Sequence, residues 1–184
     1  GQDLVEVSDQ AQNPGFKKIL DEHYGPIIKK IRSTDKPIIA AVNGVAAGAG
    51  ANIALSCDIV VAHEKVSFIQ AFSGIGLIPD SGGTFFLPRL IGFQKASAIA
   101  MLGDKVSAEE AEKMGMIYKV FTIESFEEEV STLAIRMANM PTKGLALTKQ
   151  AFNSAMTNSM EQQLSVESKL QIEASETYDY KEGV

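Results

Sequence analysis

Hydrophobic residues in the first half of the chain follow two patterns, one spaced as in a helix and one in short continuous runs. From 16 to 31 they recur every three or four residues, which predicts an amphipathic helix that Gly25-Pro26 kinks. The runs 38–42 and 58–62 are rich in β-branched residues and typical of buried strands. A glycine-rich loop leading into a helix of small residues, at 44–55, separates them. This order predicts a right-handed parallel crossover.

The later part of the chain has a wholly helical pattern. Three capping boxes, each a Ser followed three residues later by Glu or Gln, predict helix starts at Ser107 with Glu110, Ser125 with Glu128, and Ser159 with Gln162. One apolar face of the helix after Ser125 consists of Phe126, Val130, Leu133, Met137 and Met140. In the next helix, the residues predicted to point inward are Leu145, Thr148, Phe152 and Met156. We therefore predict an α/β fold with a core over 1–105 and a helical region over 106–184.

The composition is that of an ordinary soluble globular chain. Of its 184 residues, 45% are hydrophobic and 22% charged, which suffices for a sizeable core in one or two domains. The 17 basic and 23 acidic residues give a net charge of −6, and no basic block exceeds two residues, which argues against a nucleic-acid partner. The most apolar stretch, 37–55, is interrupted by Asn43, Asn52 and glycines, so we predict no membrane span.

Cysteine and histidine usage bears on the compartment and on metals. Cys57 is the only cysteine, so no internal disulfide forms and we expect a reducing compartment, the cytoplasm. Cys57, Asp58 and His63 are close in sequence, but a strand scatters them over two faces, and we predict no metal site, a core cysteine and a surface histidine. The chain begins at Gly1 without an initiator Met or a signal peptide, so we expect a fragment or a processed chain.

The loop Gly48-Ala49-Gly50 is the first candidate site. Such a loop leading into a helix directs backbone N–H groups toward one point, where a phosphate or an oxyanion can bind. A dinucleotide-binding fingerprint would need Gly or Ala at position 53, where Ile53 stands. Close helix–strand packing through small side chains explains the spacing equally well.

Asp80, between Pro79 and a glycine pair, is the second candidate. Its apolar sequence surroundings can raise the pKa of a carboxylate toward that of a general base. Alternatively, Asp80 caps a helix that starts near Thr84 or forms a turn, and composition alone favours this alternative. The tetrapeptide 80–83 is similar to that around the nucleophile of chymotrypsin-like proteases, but the helical content and the presence of only two histidines argue against a protease.

Taken together, these segments resemble the signatures of the crotonase (enoyl-CoA hydratase/isomerase) superfamily. The segments that carry the resemblance are PIIAAVNG at 37–44, GAG at 48–50, CD at 57–58 and GLIPDSGGT at 76–84, with further similarity at 108–111, 115–117 and 180–183. Segments 45–51 and 78–80 are most similar to the branch of phenylacetate degradation. The resemblance spans essentially the whole chain and implies a ββα spiral core with a C-terminal helical trimerisation region.

The resemblance also implies a site for an acyl-CoA thioester. Relatives hold the thioester oxygen with two backbone N–H groups, which by position fall on Gln2 and Ala49, and so stabilise an enolate. In relatives with a Pro-Asp arrangement the aspartate moves a proton between carbons, which implies Asp80 as the catalytic residue. The other residues implied to contact the substrate are Asp3, Leu4, Gly48, Asn52, Phe72 and Leu77. CoA is part of the substrate, and no separate cofactor is implied.

Two departures from the family's hydratases bear on the reaction. Hydratases carry two glutamates, at positions that hold Asn52 and Phe72 here, and the addition of water needs both. The resemblance therefore favours an isomerase that moves a double bond or rearranges a ring epoxide. The alternatives are a Δ3-Δ2-enoyl-CoA isomerase of fatty-acid oxidation, an enoyl-CoA hydratase, a dehalogenase-like relative, a non-catalytic acyl-CoA-binding homologue and, weakest, a Rossmann-type nucleotide domain.

The resemblance finally implies features beyond the printed sequence. The family's opening strands would precede Gly1 and its terminal helix would continue past Val184, so we expect truncation at both ends. Relatives form trimers or paired trimers, from which we expect a homotrimer or a hexamer.

Overall fold

Strands and helices alternate in the first part of the structure, a computed structural model that describes residues 14–184. The strands are β1 Ile39–Val42, β2 Ala46–Ala47, β3 Ile59–His63, β4 Ser67–Ile69, β5 Lys105–Ser107 and β6 Lys119–Phe121. Helix α1 is composed of Phe16–Lys18, a π-helical Ile19–Tyr24 and Gly25–Ser33. The other helices are α2 Ala49–Leu55, α3 Gly83–Ile91, α4 Phe93–Leu102, α5 Ala108–Lys113, α6 Phe126–Ala138, α7 Thr142–Ala155, α8 Met160–Ser175 and α9 Tyr178–Gly183.

The parallel pairing predicted for the first two strand segments is confirmed. Strands β1 and β3 pair in parallel, with Ile39 opposite Ile59, and α2 lies between them in the chain. Strand β6 pairs with the other edge of β3, also in parallel. Central β3 is therefore covered on both edges, and Val61 and Ala62 are fully buried. This burial explains why its sequence is continuously apolar rather than alternating.

A second sheet has the order β2-β4-β5, in which β4 pairs in parallel with β2 and antiparallel with β5. Strands β5 and β6 lie where the sequence pattern is wholly helical, so that prediction is wrong for these segments. Each has only three residues, too few to show the alternation by which a strand is recognised. The boundary between 105 and 106 falls inside β5, and the division into two regions stays a prediction.

Small side chains fill much of the core around α2. This helix packs against β1, β2 and α3, and Ala51 within it is fully buried. Alanines at 62, 108 and 111 are fully buried as well, beside larger residues such as Leu87. Small residues let backbones approach closely, so the start of α2 is held on a rigid support.

Within residues 14–184, no helix combines the length and the apolar character that a membrane crossing requires.

Helix α1 widens rather than simply kinking at Gly25-Pro26. The Gly25 amide donates to the carbonyl of Leu20, five residues earlier, which is the π-helical pattern. A Cβ atom at Gly25 would lie 2.8 Å from that carbonyl oxygen, so glycine is required for the close approach. Pro26 lacks an N–H, which removes the next bond along the helix and accounts for the irregularity at this point.

Two of the three predicted capping boxes are confirmed. The Ser107 hydroxyl accepts a hydrogen bond from the amide of Glu110, whose carboxylate accepts one from the Ser107 amide, and the box at 159–162 is complete too. The box at Ser125 is wrong. Its backbone is already helical, and its hydroxyl lies 3.1 Å from that of Thr122 instead of bonding to its own helix.

A charge cluster of Arg32, Asp58 and Lys149, in which the lysine is buried and the other two are half-buried, joins α1, the start of β3 and α7. The two oxygens of Asp58 accept hydrogen bonds from Arg32 Nη1 at 2.9 Å and Lys149 Nζ at 2.7 Å. Lys149 Nζ also donates to the carbonyls of Ile31 and Lys36. The lysine side chain is 5% exposed, so it meets its partners largely out of water.

The charge cluster also determines which face of α7 turns inward, and that face differs from the prediction. Of the predicted inward residues, Leu145 is half-buried, and the exposed ones are Thr148, Phe152 and Met156. The buried residues of the helix are Ala146, Leu147 and Lys149. Three hydrogen bonds hold Lys149 against α1 and the Asp58 carboxylate, and this sets the rotation of the helix. In α6, most residues of the apolar face predicted after Ser125 are buried or half-buried.

Candidate functional site

A cavity of about 520 Å³ lies between α1, the start of α2 and the segment 71–80. The predicted site residues that line it are Gly48, Ala49, Phe72, Leu77 and Asp80. The other lining residues are Phe16, Ile19, Tyr24, Val45, Ala47, Gly50, Ala71 and Ile75. Sequence reasoning missed the contribution of α1, because an apolar helix face is equally typical of a plain core contact. The cavity brings the two candidate segments of the sequence together.

A larger cavity, about 730 Å³, opens between the segment 35–39 and helices α6 and α7. Its charged residues, Asp35, Lys36 and Lys143, are exposed. We place the candidate site in the first cavity, because a half-buried carboxylate and the first turn of a helix meet there.

Gly48 shapes the backbone at the entrance to α2. Its φ of 53° and ψ of −126° suit glycine, and its amide donates to the carbonyl of Ile69 at 2.9 Å, which ties the loop to β4. Helix α2 begins at the next residue, Ala49. Amides in the first turn of a helix have no acceptor within it, so the Ala49 N–H is available to an acceptor in the cavity that Ala49 lines. The loop thus supplies a donor without a charged side chain.

Asp80 lies at the first position of a tight turn. Its carbonyl accepts the Gly83 amide at 2.8 Å, and the two central residues have positive φ, 50° at Ser81 and 81° at Gly82. Helix α3 begins at Gly83 without any side-chain cap, so the alternative that Asp80 caps this helix is wrong. The alternative that Asp80 forms a turn is confirmed, and the turn places its carboxylate at the cavity.

The electrostatic setting of Asp80 suits a base. Burial raises the pKa of its carboxyl group above 3.8, the ordinary value for aspartate. The Ser81 hydroxyl donates to Oδ1 at 2.9 Å, and this hydrogen bond opposes the rise because it favours the charged form. The result is a carboxylate that holds a proton more strongly than an exposed aspartate does.

Asn52 occupies a different place from the one predicted. Its side chain is fully buried and is not among the residues that line the cavity. The structure therefore does not place Asn52 in direct contact with a substrate in this cavity. Its Nδ2 donates to the carbonyl of Asp80 at 2.9 Å, and its Oδ1 accepts from Gln70 Nε2 at 2.8 Å. Asn52 therefore supports the wall of the cavity from behind.

Phe72 and Leu77 form an apolar wall of the cavity. Phe72 is 5% exposed, and its ring would lie 3.6 Å from a Cβ atom placed on Gly48. The predicted site residues Gln2, Asp3 and Leu4 lie outside the described residues. The wall supplies van der Waals surface and no hydrogen-bonding group from these two side chains.

The histidine prediction is wrong. His63 is 8% exposed, its Nε2 lies 3.0 Å from the carbonyl oxygen of Asn43, and its ring packs edge-on against Phe126 at 5.5 Å. Cys57 is half-buried rather than fully in the core. In the part of the chain from 14 to 184, no group of three or more His, Cys, Asp or Glu side chains is placed to hold a metal ion.

Comparisons with known proteins agree on one family. The family model described as enoyl-CoA hydratase/isomerase matches residues 1–184. The 1,2-epoxyphenylacetyl-CoA isomerase of Escherichia coli is 45% identical over 100% of this chain and 71% of its own length. A probable enoyl-CoA hydratase of Rhodobacter capsulatus is 41% identical over the same shares. A crystal structure of an enoyl-CoA hydratase from Polaromonas superposes with a TM-score of 0.89 at 32% identity, covering 100% of this chain and 72% of that one.

Proposed function

Because the chain belongs to the enoyl-CoA hydratase/isomerase (crotonase) family, we propose that it is an acyl-CoA isomerase that uses Asp80 as its base. The resemblance and the crotonase-like α/β fold class predicted from sequence are confirmed by the family match and the structural superposition. The chain is thus an enzyme of the acyl-CoA hydratase/isomerase type. The choice between isomerisation and hydration rests on the site itself.

One observation carries the proposal: among the lining residues from the described part of the chain, Asp80 is the one carboxylate. Hydration needs one group to activate water and another to handle the proton on carbon. The positions that hold glutamates in the family's hydratases are the amide Asn52, bonded behind the wall, and the apolar Phe72. A single base suffices for moving a proton between two carbons, so isomerisation fits the groups present.

In the proposed reaction, the Asp80 carboxylate removes the proton from C2 of a 3-enoyl thioester. The electron pair of the broken C–H bond moves to the thioester oxygen and forms a dienolate. The amides of Ala49 and Gln2 donate to that oxygen, a type of stabilisation that contributes about 3 kcal/mol per donor in related chemistry. Protonated Asp80 then returns its proton to C4, which leaves the double bond between C2 and C3 and regenerates the carboxylate.

The apolar wall supports a flat acyl group with a largely apolar surface. Phe72 and Leu77 present carbon surface to the cavity, and the small residues of the loop 47–50 line it as well. The E. coli relative that is 45% identical is named a 1,2-epoxyphenylacetyl-CoA isomerase. We extend the proposal to ring epoxides of aryl-CoA thioesters and place the enzyme in phenylacetate degradation. CoA enters as part of the substrate, without a separate cofactor.

Hydration is the second candidate, because the R. capsulatus relative that is 41% identical is named a probable enoyl-CoA hydratase. A panel of 3-enoyl, 2-enoyl and aryl-epoxide CoA thioesters separates the two. We expect isomerised products from the first and third substrates and no 3-hydroxyacyl-CoA from the second. A 3-hydroxyacyl product as the main outcome would establish hydration. Halide release from a halogenated aryl-CoA would favour dehalogenation, and binding of every thioester without turnover would indicate a non-catalytic homologue.

The pH dependence of turnover tests the role of Asp80 as a base. The carboxylate must be ionised to accept a proton, so kcat falls as pH drops through its raised pKa. Replacing Ser81 with Ala removes the hydrogen bond that favours the charged form, which raises the pKa of Asp80 further. We expect the acid limb of the kcat profile to move to higher pH in Ser81→Ala.

The matched control for this measurement is Ser56→Ala. Ser56 directly follows α2 as its C-cap, is fully buried and donates to the carbonyl of Ile53, away from the Asp80 carboxylate. The acid limb of the kcat profile of Ser56→Ala should coincide with that of the parent enzyme. A Ser81→Ala profile that stays in place or moves to lower pH would mean that a group other than Asp80 titrates.

We also propose that Gln2, Asp3 and Leu4 contact the substrate. For the oligomeric state, we propose a homotrimer or a hexamer. Several large apolar side chains of α4, α6, α7 and α8 are exposed in the single chain, which supports burial against other copies: Phe93, Met101, Leu102, Ile135, Phe152, Met160, Leu164 and Ile172.

A further inference from the structure

We propose that Asn52 is a positioning residue that places the Asp80 carboxylate through its backbone, an inference that rests on the function proposed above. The contact is between Asn52 Nδ2 and the carbonyl oxygen of Asp80, 2.9 Å apart, and Asn52 does not line the cavity. The Asp80 carbonyl thus accepts two hydrogen bonds, one from Asn52 on α2 and one from the Gly83 amide within its own turn. Asn52 ties the turn to the helix whose first residue, Ala49, supplies the proposed oxygen-binding amide.

The turn that Asn52 holds is conformationally costly and needs such support. Ser81 has a φ of 50° and is the one residue besides glycines with positive φ among residues 14–184. Strained backbone of this kind persists only where surrounding contacts determine it. Without the bond from Asn52, the Asp80 carbonyl retains only the bond from the Gly83 amide, and no hydrogen bond from the Asn52 side chain ties the turn to α2.

The Asn52 amide is itself held in one orientation. Gln70 Nε2 donates to Asn52 Oδ1 at 2.8 Å inside the protein, so Nδ2 is the end that faces Asp80. Gln70 is 3% exposed, and its Oε1 is buried without a hydrogen-bond partner. A buried oxygen without a hydrogen-bond partner is unfavourable. In this orientation of the Gln70 amide, Oε1 has no partner, but Nε2 donates to Asn52.

Gly83 makes room for this arrangement. A Cβ atom on Gly83 would overlap Asn52 Nδ2 and lie 2.6 Å from Asn52 Cγ, so any side chain at position 83 must displace the amide. The amide of Gly83 would still donate to Asp80, because substitution leaves the backbone N–H in place. Gly83→Ala therefore disturbs Asn52 without deleting it.

The test measures kcat and KM of the full-length protein with the 3-enoyl thioester, in a cycle of Asn52→Ala, Gly83→Ala and the double variant. We expect kcat to fall roughly 10-fold to 100-fold in each single variant, the loss typical of small displacements of a catalytic group, with KM within about 2-fold. In the double variant the collision is absent, so kcat should equal that of Asn52→Ala alone rather than the product of both losses.

Ser56→Ala is the control for a merely structural role. It removes the hydrogen bond that the buried Ser56 side chain makes to the end of the same helix, and the melting temperature of this variant should fall while its kcat stays at the parent value. Asn52→Ala with a lowered melting temperature and an unchanged kcat would overturn the positioning role, as would losses that multiply in the double variant. If Asp80→Asn retains turnover, the proposed function itself fails. If Asp80→Asn is inactive and Asn52→Ala is fully active, the positioning role of Asn52 fails and the proposed function stands.

Discussion

Replacing Asp80 with Asn is expected to lower kcat by about 10² to 10⁴-fold, the usual contribution of a general base. The amide has nearly the same shape as the carboxylate and accepts the Ser81 hydrogen bond, but it cannot take a proton from carbon. The turn at 80–83 is held through backbone groups, so it should survive the change. Turnover of the 3-enoyl thioester, followed by absorbance of the conjugated product, measures the loss.

Substrate binding should be largely retained in Asp80→Asn, because the apolar wall and the Ala49 amide are unaffected. Titration of an unreactive acyl-CoA analogue into the variant checks this expectation. The matched control is Asp35→Asn, the same substitution at an exposed aspartate of the other cavity, which should leave kcat unchanged. Turnover at the parent rate in Asp80→Asn would remove Asp80 from its role as the base.

Replacing Lys149 with Met is expected to lower the free energy of unfolding by about 3 kcal/mol, as is typical when one partner of a buried ion pair is removed. Met keeps the length of the side chain but none of its three hydrogen bonds. The carbonyls of Ile31 and Lys36 would be left without this donor, and Asp58 would retain only Arg32 and the Ile38 amide. Urea denaturation followed by circular dichroism measures the difference.

Helix α7 provides its own control in Lys143→Met. Lys143 forms a salt bridge with Glu173, but its side chain is 49% exposed, and bridges at the surface contribute about 0–1 kcal/mol. The same substitution on the same helix should therefore cost far less than at position 149. Equal losses at the two positions would show that the charge cluster contributes no more than a surface pair.

Several parts of the fold and the site follow from local patterns in the sequence. The runs that form β1 and β3 are recognisable because buried parallel strands are continuously apolar. The capping boxes at Ser107 and Ser159 form within four consecutive residues, so the sequence contains all their partners. The glycines at 48 and 50 and the charge of Asp80 beside a proline mark two candidate segments in the sequence. Neither segment indicates that the two lie next to each other in the fold.

Contacts between distant segments account for the predictions that were wrong. The inward face of α7 depends on Lys149 reaching Asp58, 91 residues away, and apolar spacing contains no sign of such a bond. His63 is buried because Asn43 and Phe126 come together around it. The three-residue strands β5 and β6 are extended because β4 and β3 offer them hydrogen-bonding partners.

The sequence by itself thus determined the family signature, the parallel crossover and the presence of one acidic residue suited to be a base. Only the tertiary structure decided where that residue lies and what surrounds it. It placed Asp80 at a cavity with Ala49, raised the pKa of its carboxyl group by burial, and moved Asn52 from a predicted substrate contact to a support behind the turn. The physical reason is that desolvation and hydrogen-bond geometry arise from segments that are distant in the chain and adjacent in space.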